Sequence, residues 1–75
     1  MTKETPKIAL FPGTFDPFTV GHESVVRRAL KMFDKIIIAI GFNTSKTAYF
    51  PLDKRIAWIK KVFADTDRVE VYSFK

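Results

Sequence analysis

The run of residues at positions 35–40 (KIIIAI) limits the possible folds of this chain more than any other feature of its sequence. Five consecutive apolar residues follow the lysine, and this is typical of a strand covered on both faces in a parallel sheet. Two further apolar segments, residues 7–11 (KIALF) and 69–74 (VEVYSF), are also predicted to be strands. Pro12 and Gly13 are expected to end the first strand and to begin a structured loop.

Two segments between these strands carry apolar residues at helical spacing. The first helix is predicted from about residue 21 to residue 33, and the second from about residue 51 to residue 64. Their apolar stripes consist of Val25, Val26, Ala29, Leu30 and Phe33 in the first helix, and of Ile56, Ile59, Val62 and Phe63 in the second. The resulting β-α-β-α-β order, with short connections, predicts right-handed crossovers between parallel strands.

Three parallel strands and two helices make up half of a doubly wound α/β fold. Such a fold binds ligands at the carboxyl ends of the strands, where the strand order reverses, and that reversal needs strands on the other side of the first one. We therefore expect residues 7–75 to be the N-terminal half of a longer domain, after a flexible tail at residues 1–6. The alternative is that a second copy of the chain completes the sheet.

The composition argues against several classes of site and partner. No cysteine is present and there is one histidine, which excludes a disulfide scaffold and any zinc site built from cysteines or several histidines within the chain. The net charge is +5, but most basic residues fall in the predicted helices beside acidic ones, which indicates a solvated surface and not a nucleic-acid site. No apolar segment suits a membrane span or a signal peptide, so we expect a cytoplasmic protein.

The loops after the first two strands should emerge at the same edge of the sheet. The first leads from Gly13 to His22 at the start of a helix, and the second contains Lys46. Helix N-terminal amides, an imidazole and an ammonium group at one edge favour a phosphate group. Asp16 is expected to organise the loop by accepting hydrogen bonds from backbone N–H groups, and not to bind a metal.

Residues 11–22 (FPGTFDPFTVGH) resemble the signature of the nucleotidyltransferase superfamily that carries the [T/H]-x-G-H motif. More narrowly, the chain resembles the bacterial phosphopantetheine adenylyltransferases over residues 7–75, including the Ser45-Lys46 loop and the helix start at residues 50–55. Thr19, where many relatives have histidine, favours this branch over the nicotinamide mononucleotide adenylyltransferases. The resemblance implies a Rossmann-like parallel sheet, as half of a doubly wound nucleotidyltransferase domain.

The resemblance also implies an activity and a set of site residues. The family transfers AMP from ATP, which is accompanied by Mg²⁺, to 4′-phosphopantetheine. The products are dephospho-coenzyme A and pyrophosphate. The resemblance also implies a homohexamer located in the cytoplasm. His22 would contact the nucleotide phosphates and stabilise the transition state, and Thr14 would contact both the acceptor phosphate and the nucleotide. The backbone at Phe15 would help to hold ATP, and Lys46 would bind phosphopantetheine.

Other interpretations of the same residues remain open. His22 alone could be a helix-capping residue, Thr14 could only stabilise the turn, and Lys46 could be an ordinary loop lysine. The family is about twice as long as this chain, and its later half supplies further phosphate-binding residues, so we expect negligible turnover from the 75 residues alone. Two alternative functions are a nucleotidyltransferase with another acceptor, such as nicotinamide mononucleotide, and a noncatalytic module that binds anions or assembles with a partner.

Overall fold

The computed structural model describes residues 5–42 and 49–75, and these residues form a three-stranded parallel sheet and two helices. The elements in chain order are β1 (Ile8–Gly13), α1 (Val20–Ala29), β2 (Lys35–Gly41), α2 (Leu52–Val62) and β3 (Val69–Phe74). The strand order is β1-β2-β3. This arrangement confirms the predicted α/β class and element order, whereas the predictions for residues 1–4 and for Lys46 lie outside the described residues.

Strand β1 is longer than predicted. Pro12 and Gly13 belong to the strand and pair with Ala39 and Ile40 of β2, so the prediction that they begin the loop is wrong. The physical reason is the position of β1 at the edge of the described sheet, where a proline without an N–H group breaks no ladder on its open side. As a result the strand ends at the carboxyl edge of the sheet, where Thr14 follows it.

The two faces of the sheet differ. Ile36, Ile38 and Ile40 of β2 are at most 1% exposed, and they share one core cluster with Val26 of α1 and Ile59 of α2. On the opposite face, residues of the outer strands stay exposed, among them Ile8, Leu10, Tyr72 and Phe74. Strand β2 itself has a buried Ala39 and a half-buried Ile37 on this face, so its predicted two-sided cover is complete on the helix face and partial on the other. The strands follow one another in chain order across the sheet, so both crossovers move in the same direction. Two crossovers of the same handedness then place both helices on one face of the sheet.

Helix α1 ends at Ala29, before the predicted end at Phe33. Leu30 and Phe33 still pack against the core, so the apolar spacing that predicted a longer helix reflects burial and not helix length. The guanidinium of Arg68, beside the start of β3, donates hydrogen bonds to the carbonyl oxygens of both residues. Arg68 thus satisfies carbonyl groups that have no intrahelical partner at the end of a helix.

Helix α2 and strand β3 agree with their predictions. The predicted apolar stripe of α2 faces the core, with Ile59 and Phe63 buried, and Pro51 takes the position just before the first helical residue. Strand β3 has the predicted bounds. Neither helix in the described part of the chain has the length and apolar character needed to cross a membrane.

Candidate functional site

The loop that follows β1 folds tightly back on the end of the strand. Phe15 has a φ of 48°, in the left-handed region, and its ring is buried against Gly13. A Cβ atom on Gly13 would lie 2.8 Å from Cζ of Phe15, so the ring can occupy this place only over a glycine. The buried Phe15 side chain thus anchors the loop to the core, whereas Thr14 is exposed at the surface.

His22, in the first turn of α1, is held among three phenylalanine rings. Its ring centroid lies 5.0 Å from that of Phe15 in an edge-on arrangement, 5.3 Å from that of Phe18 and 6.3 Å from that of Phe11. Phe15 and Phe18 are each 4% exposed, so both rings are packed in the core. Because three aromatic rings contact the half-buried imidazole, the core restrains its orientation.

The hydrogen bonds of His22 determine which ring nitrogen remains available. The backbone N–H of Thr19 donates to Nδ1 of His22 over 2.9 Å, and the backbone N–H of His22 donates to the Thr19 hydroxyl over 3.3 Å. This reciprocal pair is a capping box at the start of α1. Because Nδ1 accepts a hydrogen bond, the neutral ring carries its proton on Nε2, which becomes a donor. No described residue is paired with Nε2, so His22 is both a capping residue and a donor.

Asp16 joins the first loop to the segment that precedes α2. Its two carboxylate oxygens accept hydrogen bonds from the backbone N–H groups of Tyr49, over 2.8 Å, and Phe50, over 2.7 Å. The predicted role in accepting backbone hydrogen bonds is confirmed, although the donors lie in the second connection and not in the Asp16 loop itself. Among residues 5–42 and 49–75, no group of three acidic or histidine side chains is placed to hold a metal ion.

Arg55 in α2 is a site residue that the sequence analysis did not identify. Its side chain is 6% exposed, and Nη1 donates a hydrogen bond to the carbonyl oxygen of Thr14 over 2.8 Å. Its Nε is buried and has no hydrogen-bond partner in the described part of the chain. One signal was available, because Arg55 lies one helical turn before Ile59 and therefore on the apolar face of α2.

These elements enclose a cavity of about 400 Å³ at the carboxyl edge of the sheet, lined by residues 11–17 and His22. It brings together three of the four predicted site residues, Thr14, Phe15 and His22, and the fourth, Lys46, lies outside the described residues. The N-terminus of α1 and the Nε2–H of His22 both favour negative charge here. The cavity is therefore suited to an anionic group such as a phosphate.

Sequence relatives give this cavity a family context. A phosphopantetheine adenylyltransferase of Cytophaga hutchinsonii is 59% identical over 69 residues, which make up 92% of this chain and 46% of that protein. A protein of the same name from Phocaeicola vulgatus is 54% identical over 66 residues, 88% of this chain and 44% of that protein. The chain thus spans a little under half the length of these relatives.

Two solved structures share the fold of this chain. A bifunctional NMN adenylyltransferase/ADP ribose pyrophosphatase from Francisella tularensis superposes with a TM-score of 0.78 at 28% identity, over 92% of this chain and 22% of that one. The NadR protein, solved in complex with NAD and AMP-PNP, gives a TM-score of 0.79 at 21% identity, which shows the fold alone. The cytidylyltransferase-like family profile matches residues 10–75. The chain therefore belongs to the cytidylyltransferase-like family, as the residues from Phe11 to His22 indicated.

Proposed function

We propose that this chain is the nucleotide-binding part of a pantetheine-phosphate adenylyltransferase. The observation that carries the proposal is the fixed donor at His22, whose Nδ1 is occupied by Thr19 and whose Nε2–H shares a cavity with Thr14 and Phe15. The activity suggested by the relatives is the transfer of AMP from ATP to 4′-phosphopantetheine, which yields dephospho-coenzyme A and pyrophosphate.

The chemistry of this reaction suits the groups that the cavity offers. A phosphate oxygen of the acceptor attacks the α-phosphorus of ATP, and the bond from that phosphorus to the pyrophosphate oxygen breaks. The attacking oxygen is already anionic, so no general base is needed, and catalysis comes from alignment and from donors placed where charge develops. His22 Nε2–H would supply such a donor at the α-phosphoryl group.

The remaining site residues would act by binding. The Thr14 hydroxyl would contact the acceptor phosphate and the nucleotide, the Phe15 N–H would hold a nucleotide phosphate, and Lys46 would bind the phosphopantetheine phosphate. Asp16 has both carboxylate oxygens engaged by backbone N–H groups, so it is a poor metal ligand. Mg²⁺ would accordingly enter with ATP, as part of the MgATP substrate.

The proposal can be tested in a chimera in which this chain replaces the 69-residue segment of the C. hutchinsonii relative that it matches. We expect the chimera to release pyrophosphate from ATP when 4′-phosphopantetheine is present. His22→Ala should lower kcat by about 10²-fold or more, the loss typical of a transition-state donor, whereas Ser24→Ala on the exposed side of α1 should change little. If the chimera is active and His22→Ala has the same kcat as Ser24→Ala, the proposed role of His22 is refuted.

The 75-residue chain by itself should show negligible turnover, because its relatives carry a further half outside the matched segment. Pyrophosphate release above background from the purified chain would contradict this expectation. Native mass measurement of the chimera would test the homohexamer that the family resemblance implies, and fractionation of cells that express it would test the cytoplasmic location.

A nucleotidyltransferase with another acceptor is the second candidate. The observation that favours it is the fold shared with the NMN adenylyltransferase of F. tularensis. Parallel assays with 4′-phosphopantetheine, nicotinamide mononucleotide and glycerol phosphate would separate the acceptors. A preference for either of the last two would overturn the pantetheine proposal. A noncatalytic binding module, the third possibility, would bind ATP but release no pyrophosphate with any acceptor.

A further inference from the structure

The peptide bond between Thr14 and Phe15 joins two residues that line the 400 Å³ cavity together with His22. Its carbonyl oxygen accepts a hydrogen bond from Arg55 and therefore points toward that side chain. Arg55 lies outside the cavity lining and borders a separate apolar groove of about 640 Å³, to whose lining Phe18 and Trp58 also contribute.

The geometry of a trans peptide then fixes the direction of the neighbouring N–H group. The one cis peptide among the described residues follows Asp16, so the Thr14–Phe15 peptide is trans, and its N–H points opposite to its carbonyl. The Phe15 N–H therefore points away from Arg55, and Phe15 and His22 both line the 400 Å³ cavity. No described residue accepts a hydrogen bond from it, so it is available to a ligand.

The backbone of Phe15 shows why this peptide needs to be held. A φ of 48° is unfavourable for a residue with a side chain. Rotating the Thr14–Phe15 peptide plane by half a turn would bring φ of Phe15 to about −130°, in the broad extended region. That rotation would also turn the N–H toward Arg55 and the Thr14 carbonyl away from it. The hydrogen bond from Arg55 to the Thr14 carbonyl opposes it.

The burial of Arg55 is otherwise difficult to explain. Its guanidinium has no carboxylate partner among the described residues, it makes one hydrogen bond to a neutral carbonyl, and its Nε has no partner. Burying a charge in this way costs free energy that an aliphatic side chain on the same face of α2 would not. The hydrogen bond to Thr14 is the contact that an aliphatic residue could not make.

We propose that Arg55 is a positioning residue for the phosphate site. By holding the Thr14 carbonyl it keeps the Phe15 N–H directed into the cavity, beside the Nε2–H of His22, as a donor to a nucleotide phosphate. This inference rests on the proposed function, because it takes ATP to be the source of that phosphate. Arg55 itself touches neither substrate.

The test compares Arg55→Met with Arg28→Met in the chimera, since both changes remove one positive charge and Arg28 is exposed on α1. A donor that binds the phosphate equally in the ground state and the transition state contributes to affinity, so its loss raises KM with little change in kcat. We expect Arg55→Met to raise KM for ATP about tenfold, with kcat within about threefold of the parent. Arg28→Met should leave both parameters unchanged.

A merely structural role for Arg55 would give a different result. A smaller fraction of folded enzyme lowers the apparent kcat and leaves KM for ATP unchanged, and this outcome would overturn the inference. If Arg55→Met does not fold, the inference is tested with two other variants. These are Arg55→Lys, and Arg55→Ala to which ethylguanidinium is added. KM for ATP should return toward the parent value in both, and recovery of the melting temperature without recovery of KM would again overturn the proposal.

Failure of the inference can be told apart from failure of the proposed function. If His22→Ala abolishes turnover and Arg55→Met behaves like Arg28→Met, the function stands and the role of Arg55 is refuted. If the chimera transfers AMP to no acceptor, the proposed function fails, and the inference fails with it.

Discussion

Two arginines at opposite edges of the sheet bind backbone carbonyls in different ways. At the amino edge, Arg68 donates to three carbonyl oxygens, those of Leu30, Phe33 and Asp34. At the carboxyl edge, Arg55 donates to one carbonyl oxygen, that of Thr14, and is much more deeply buried. Arg68 binds several carbonyl groups that follow α1, whereas Arg55 holds one peptide and its own Nε has no partner among the residues described.

The polar groups around the two arginines follow the same division. At the amino edge, Glu70 binds both Lys35, over 2.6 Å, and Tyr72, over 2.7 Å, so donors and acceptors are matched. At the carboxyl edge, the Phe15 N–H and the His22 Nε2 have no partner among the described residues. The difference teaches that the carboxyl edge offers two donors to an anion, while Arg68 and Glu70 at the amino edge make structural contacts.

Substituting Gly13 should have the largest effect on stability. In Gly13→Ala the new methyl group would lie 2.8 Å from the buried Phe15 ring, so the anchor of the donor-rich loop must move. We expect a loss of about 2 kcal/mol in the free energy of unfolding, measured by urea denaturation of the chimera, together with weaker ATP binding. Gly21→Ala is the matched control, because its nearest atom is 3.7 Å away; an equal loss there would contradict the argument from close contact.

Neutralising Asp16 should have a smaller effect on the same edge. Asp16→Asn places an amide group where two backbone N–H groups now meet carboxylate oxygens, so one of them loses its acceptor. Because Asp16 is half-buried, we expect a loss of about 1 kcal/mol in the free energy of unfolding. Protection from hydrogen exchange should be lost first at the Tyr49 and Phe50 amides. Hydrogen exchange in Asp16→Asn and in the exposed control Asp67→Asn would check this, and unchanged protection in Asp16→Asn would refute it.

Removing the amino-edge arginine would sharpen the comparison. Arg68→Met deletes hydrogen bonds to exposed carbonyl groups that water can replace, so we expect a loss below about 1 kcal/mol. KM for ATP should not change, in contrast to the rise expected for Arg55→Met. An equal rise in KM for Arg68→Met would mean that the two edges do not differ in function.

The smallest expected effect is a change in the titration of one surface carboxylate. The hydrogen bond from the Arg27 guanidinium lowers the pKa of Asp65, and a hydrogen bond from Lys35 likewise lowers the pKa of Glu70. Lowered values contribute stability above the unfolded-state pKa, and this contribution is lost as the pH falls through the folded-state pKa. In Arg27→Met, carboxyl NMR should find the pKa of Asp65 raised toward its usual value and the pKa of Glu70 still lowered. An unmoved Asp65 would contradict the assignment.

The sequence was sufficient where local pattern and burial agree. Helical spacing located the α2 stripe at Ile59 and Phe63, and the rule that parallel strands meet at their carboxyl ends placed Thr14 and His22 together. Local pattern failed where a distant contact decides. The carbonyl groups of Leu30 and Phe33, beyond the end of α1, are bound by Arg68, more than thirty residues further along the chain.

The candidate site was predictable to a similar extent. The motif pointed to His22, but its hydrogen bond with Thr19 and its aromatic surroundings become evident only in three dimensions. Arg55 escaped detection because its acceptor, the Thr14 carbonyl, lies 41 residues away in the sequence. A charged residue on the apolar face of a helix is a signal of burial, but the sequence does not reveal what it binds.

The double use of the His22 ring limits which amino acids can replace it. One ring nitrogen must accept from the Thr19 N–H while the other donates into the cavity. Lysine and arginine offer donors but no acceptor. Either residue at this position would therefore leave the Thr19 N–H without its acceptor and destabilise the first turn of α1. Among the uncharged alternatives, glutamine and asparagine carry both functions, and glutamine has the longer reach. A histidine-free variant of this site should therefore be sought by way of glutamine, and not by way of a cation.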